Sequence, residues 1–151
     1  MRVMGLDYGS RTVGVSISDE LLMTAQPKET IWRERESKCR RTLARISELV
    51  DEYDVGLIVV GLPLNMNDTA GERAEAALRF RDMLSGRVSV PIVMSDERLT
   101  SVEADEMLAR MRIPREDRKQ YMDQLAAGVI LQEYLENHRK EIAEIDSKRE
   151  K

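Results

Sequence analysis

The chain has one cysteine and one histidine in 151 residues. A lone Cys39 excludes an intrachain disulfide and a cysteine-built zinc site. With His138 as the only imidazole, close to the C-terminal end, Ser-His-Asp triads and histidine-rich metal sites are excluded too. Aromatic residues make up 4% of the chain, with one Trp and one Phe. That is too few for the row of stacking side chains on which single-strand binders lay bases. No stretch approaches 18 apolar residues, so no membrane-spanning helix is expected. The N-terminus runs straight into a strand without a signal-peptide pattern, and a cytoplasmic protein is the expectation. The net charge of −4 means that the molecule as a whole is no polycation. Any contact with nucleic acid must come from local basic patches or from bound cations.

What is present suits one domain with one core, at 42% hydrophobic and 34% charged residues. Residues 1–137 are expected to form that domain, and 138–151 a charged, flexible tail. Residues 2–7 and 13–19 read as a hairpin. In the second strand Val13, Val15 and Ile17 alternate with Gly14, Ser16 and Ser18, the period-2 pattern of a half-covered strand. Residues 24–32 form a third strand, weakened by Pro27. Leu43, Ile46, Leu49 and Val50 predict a helix over 36–53. The apolar run 55–60 suits a central parallel strand, with a loop at 61–65. Thr69 and Thr100 each open a capping box before a helix, and 90–94 is a further strand. Met122, Leu125, Val129 and Leu131 carry a last helix over 119–135. The order predicts an α/β fold: a mixed sheet of antiparallel β1-β2-β3 plus parallel strands, with helices on both faces.

In such sheets, sites form beyond the C-terminal ends of strands. Asp7 ends the first strand, Glu97 or its neighbour Asp96 follows the strand at 90–94, and Asp123 sits early in the last helix. A charge at a buried strand end is costly unless it is paired or binds metal. Converging carboxylates without His or Cys suit hard cations, Mg²⁺ or Mn²⁺, which take oxygen ligands. Such ions can activate a water and stabilise the leaving oxygen of a phosphodiester. Gly9, Ser10 and Arg11 offer backbone N–H groups and a cation to a phosphate. Asn65 follows a strand end as a further substrate contact. Two basic stretches stand out. Residues 33–45 hold six basic side chains against two acidic, and read as a solvated helix face. Residues 110–119 hold five against two. Arg115, Arg118 and Lys119 lie there, on the approach to Asp123, and are expected to contact a phosphate backbone.

Four blocks, Gly5-Leu-Asp-Tyr-Gly-Ser-Arg-Thr-Val-Gly-Val-Ser16, Val60-Gly-Leu-Pro-Leu-Asn65, Asp96-Glu-Arg-Leu-Thr-Ser-Val-Glu-Ala104 and Asp123-x-x-Ala-Ala with Ile130-Leu-Gln, resemble the YqgF (RuvX) family in its own order. The resemblance implies an RNase H-like fold with a five-stranded sheet. It implies a metal-dependent endonuclease that matures the 5′ end of pre-16S rRNA, in contact with structured RNA and a pre-ribosomal particle. It also implies catalytic and metal-binding roles for Asp7, Glu97 and Asp123, with Arg98 beside the substrate. The family is related to Holliday-junction resolvases, which makes branched DNA the alternative substrate. A junction resolvase of similar fold is expected to carry a second acid three residues after the one on the last helix, where this chain has Ala126. Two other classes compete. A phosphotransferase of the actin and sugar-kinase type opens with a similar hairpin, but needs two lobes where 151 residues supply one. A non-catalytic nucleic-acid-binding module would face phosphates with uncompensated acids. A monomer or weak homodimer is expected.

Overall fold

The computed structural model describes residues 1–63, 70–97, 106, 109–110 and 112–149; side chains at 63, 70, 97, 119 and 120 lie outside that description. The chain runs β1 (Arg2–Tyr8), β2 (Thr12–Ser18), β3 (Ala25–Trp32), α1 (Arg40–Glu52), β4 (Val55–Pro63), α2 (Ala70–Ser85) and β5 (Ile92–Glu97). A 3₁₀ turn (Arg115–Asp117), α3 (Arg118–Asn137) and α4 (Arg139–Arg149) follow. The strands lie in the order β3-β2-β1-β4-β5. β1, β2 and β3 are antiparallel neighbours, and β4 and β5 run parallel to β1. The mixed five-stranded α/β architecture is the one expected.

Alternation along the strands divides the core in two. On one face Met4, Leu6, Tyr8, Val13, Val15 and Ile17 meet Leu43, Ile46 and Leu49 of α1 and Ala77, Phe80 and Leu84 of α2. On the other, Val3, Leu57 and Val59 meet Ile130, Leu131, Tyr134 and Leu135 of α3, with Ile142 of α4. Each large side chain so buried contributes roughly 1.5–3 kcal/mol.

The second strand differs from its expected half-covered state. Val13 to Ser18 is buried throughout. Small residues there mark a seat for a closely packed helix rather than a solvated face. A Cβ on Gly5 would fall 2.8 Å from both the Ala127 carbonyl oxygen and Leu131 Cβ. The Ser16 hydroxyl donates to the Ala127 carbonyl at 2.7 Å. Ser16→Ala is therefore expected to cost about 1 kcal/mol. Ser16→Val, which adds bulk against α3, should cost roughly 1–3 kcal/mol. Urea denaturation of the two variants checks the order.

Several boundaries move. α1 begins at Arg40 rather than near residue 36, β4 runs on to Pro63, and β5 continues to Glu97. The stretch 138–151, expected to fray because of its charge, holds helix α4 over Arg139–Arg149. Ile142 is buried and Ile145 packs beside it, so two apolar residues at helical spacing dock the segment. Arg149 pairs with Asp54, and the N-terminal amine lies 3.7 Å from Asp146.

Candidate active site

Asp7 is the next-to-last residue of β1 and pairs in register with Gly14 of β2. A Cβ at Gly14 would overlap the backbone carbonyl of Asp123. Gly14 therefore lets the start of α3 come down onto the sheet directly beside Asp7. A glycine is required here for close approach, since its φ is not positive. Two carboxylates, one from β1 and one from α3, are thereby brought to one place. Asp7 is partly buried. Its pKa is raised from 3.8 to about 6, first by desolvation and second by the negative charge of Asp123, with Arg73 opposing.

Register relates the end of β5 to β1. Leu6 aligns with Val60, and Val60 with Met94. All three pack on the α1–α2 side. Asp7 therefore has the parity of the α3 side, while Asp96 has the parity of the opposite side. Position 97 pairs with Pro63 at the end of the sheet. It lies two strands from β1, about 10 Å across the sheet. Among the described residues no three His, Cys, Asp or Glu side chains form a ready metal cluster. Asp7 and Asp123 supply two, and the side chain of Glu97 is outside the description. Their donors are all oxygen, and a like-charged pair held together at an electrostatic cost fits a hard divalent cation.

The turn after β1 is closed by the Gly9 N–H donating to the Thr12 carbonyl at 2.7 Å. Ser10 and Arg11 are exposed at its tip, close in sequence to Asp7. Arg115 is exposed on the 3₁₀ turn before α3. The Arg118 Nε donates to the Ile113 carbonyl at 3.2 Å, so this side chain also fixes the loop that leads into α3. Asn65 and Arg98 lie outside the described residues, as does the side chain of Lys119.

Two arginines near the site escape a reading of the sequence. Arg33, grouped there with a solvated helix face, precedes α1 and is buried. Its Nη2 donates to the Gly9 carbonyl and, at 3.0 Å, to the Ser10 carbonyl. Its guanidinium stands 4.7 Å from the centre of the Tyr8 ring. Arg73 of α2 donates to Glu36 at 3.0 Å, and Glu36 accepts the Tyr8 hydroxyl at 3.1 Å. Tyr8 stacks on Phe80 with 4.5 Å between centroids. Burial pushes its hydroxyl up to about 12, so it remains a donor at any working pH. The signal for Arg33 is its place directly after strand β3, ahead of the helix proper.

Residues 1–137 match the sequence profile of a family described as RuvX, Holliday junction resolvase. A protein of Lachnospira eligens named "Putative pre-16S rRNA nuclease" is 54% identical over 140 residues, covering 93% of this chain and 100% of its own. One of the same name from a Geobacillus species is 49% identical over 137 residues, covering 91% and 99%. Among solved structures, RuvC of Thermus thermophilus with a Holliday junction substrate superposes with a TM-score of 0.60 at 16% identity, over 93% of this chain and 96% of that one. The Fowlpox virus resolvase with junction DNA gives 0.53 at 8%, over 90% and 97%. These likenesses show the RNase H-like fold.

Proposed function

Because the chain belongs to the RuvX family, we propose that it is an endonuclease that matures the 5′ end of pre-16S rRNA in the cytoplasm, with Asp7, Glu97 and Asp123 as its catalytic carboxylates. Hydrolysis of phosphodiester bonds is the activity that goes with the family and with the names of its close relatives. The observation that carries the residue assignment is the meeting of Asp7 and Asp123, made possible by Gly14. A fold spends stability to hold two carboxylates together only where the pair has a use.

Asp7, Asp123 and Glu97 would hold Mg²⁺ or Mn²⁺. When bound, such an ion supplies a water of lowered pKa and stabilises the departing oxygen. The protein's own share is positioning. The β1 end and the first turns of α3 fix two ligands rigidly. Ser10 and Arg11 offer donors to the phosphate on one side, and Arg115 and Arg118 lie on the approach along α3. The Arg33 bonds to the Gly9 and Ser10 carbonyls hold the turn in place for that contact.

Branched DNA is the second reading, since the family description and the superposed structures concern junctions. Ala126 stands where the junction enzyme is expected to have a further acid, which favours RNA. The purified protein, given Mg²⁺ and either a 5′-extended 16S precursor or a four-way DNA junction, should shorten the precursor and leave the junction whole. Cutting of the junction alone would reverse the assignment.

A further inference from the structure

A cavity of about 420 Å³ lies between the end of β3 and the start of α1. Trp32, Arg33, Lys38, Arg40, Arg41 and Thr42 line it. Trp32 is 68% exposed, an unusual state for the side chain with most apolar surface to bury. Arg33 is the reverse, 6% exposed. Its Nη2 is used by Gly9 and Ser10, but Nε and Nη1 are buried without an acceptor among the described residues. The Thr42 hydroxyl, on a residue 1% exposed, also lacks a partner among the described residues. Buried donors left without acceptors are costly, and in native proteins each calls for an explanation.

The N-terminus of α1 opens on the same cavity. Its N-cap, Cys39, makes no side-chain capping bond, and the first turn has no acidic residue. The free N–H groups and the positive end of the helix dipole there are uncompensated. Lys38, Arg40 and Arg41 are exposed around the rim. The acidic lining residue, Glu34, is exposed and lies 3.4 Å from Lys38. Buried guanidinium, helix terminus and rim charge all favour an anion. An exposed indole beside them favours a flat ring. A phosphodiester next to a base has both.

We propose that this cavity is a nucleotide subsite for single-stranded RNA, with a backbone phosphate at the α1 N-terminus between Arg33, Arg40 and Arg41 and the adjoining base stacked on Trp32. The identity of the strand rests on the nuclease reading. The subsite extends the path of the same substrate, because Trp32 pairs with Thr12 at the start of β2 and Arg33 grips the turn beside Asp7. One stacked base needs one aromatic, so the low aromatic content that argues against a multi-base platform is no obstacle here.

Trp32 is the only tryptophan, so its fluorescence reports on this cavity without a label. The full chain, free of divalent metal, is titrated with a hexameric oligoadenylate. Saturable quenching is expected, weakening as salt rises. In the double variant Arg40→Ala/Arg41→Ala, both positions being exposed, affinity should fall about tenfold. The slope of log affinity against log salt should flatten by roughly 0.7 for each phosphate that is no longer neutralised. Absence of quenching, or quenching equal in the double variant, would overturn the subsite even if precursor rRNA is cut. Salt-sensitive quenching that the double variant weakens, in a protein that cuts no precursor, would keep the subsite and sink the nuclease reading instead.

Discussion

Asp7→Asn should make the protein more stable and inactive at once. Without divalent metal, the folded state at neutral pH holds an ionised Asp7 against its desolvation and against Asp123. Its folded pKa of about 6 lies above the ordinary 3.8. The folded state therefore binds a proton more readily than the unfolded state does. The charged carboxylate destabilises the wild type above pH 6, and that penalty fades as pH falls through 6 toward 3.8. Asparagine is never charged, so the variant should gain of the order of 2 kcal/mol at pH 7.5, allowing for partial exposure. The gain should vanish below pH 3.8. Thermal melts in chelator across that range measure it. Cleavage should drop at least a hundredfold, since a ligand of the proposed metal is lost. Full activity in the variant would remove Asp7 from the catalytic set.

The second large effect is expected at Gly14. An alanine Cβ there would overlap the Asp123 carbonyl, and the obstacle is helix backbone, which cannot rotate away. α3 must lift from the sheet at the point where it delivers Asp123. Gly14→Ala should destabilise by roughly 1–3 kcal/mol. It should also cut the cleavage rate by about a hundredfold, the scale for a displacement of about 1 Å at a reacting group. Gly71 is the control, because among the described residues nothing lies within 4 Å of a Cβ built there. Gly71→Ala in α2 should leave cleavage unchanged and hold or raise the melting temperature. Equal behaviour of the two variants would dissociate Asp123 from the close approach at Gly14.

Much of this is legible in the sequence, for identifiable reasons. The hairpin and the central strands show through because apolar periodicity follows directly from burial. Asp7 stands out because a charge at the end of an apolar strand is costly unless it is paired or binds metal. Tertiary approach is harder to read. Gly14 and Ser16 carry the alternation of a solvated face, yet they lie directly against the backbone of α3, since small size suits a helix seat as well as it suits solvent. The register of β5 against β4, which gives Asp96 the parity of the α1–α2 side, is contained in no local pattern. Arg33 looks like one of several solvated arginines, and its burial follows from the β3–α1 connection. Ile142 and Ile145 are hidden among charges, so the docking of α4 does not show in the composition of the tail.

Whether Asp7 and Asp123 hold a divalent ion is measured most directly by the melting temperature with and without Mn²⁺ at pH 7.5, in wild type and in Asp7→Asn. An ion at about a hundred times its dissociation constant adds about 2.7 kcal/mol to the folded state. The wild type should therefore gain several degrees, and Asp7→Asn should gain little or nothing. An unmoved wild-type midpoint, or the same gain in both proteins, would contradict a metal held at this pair.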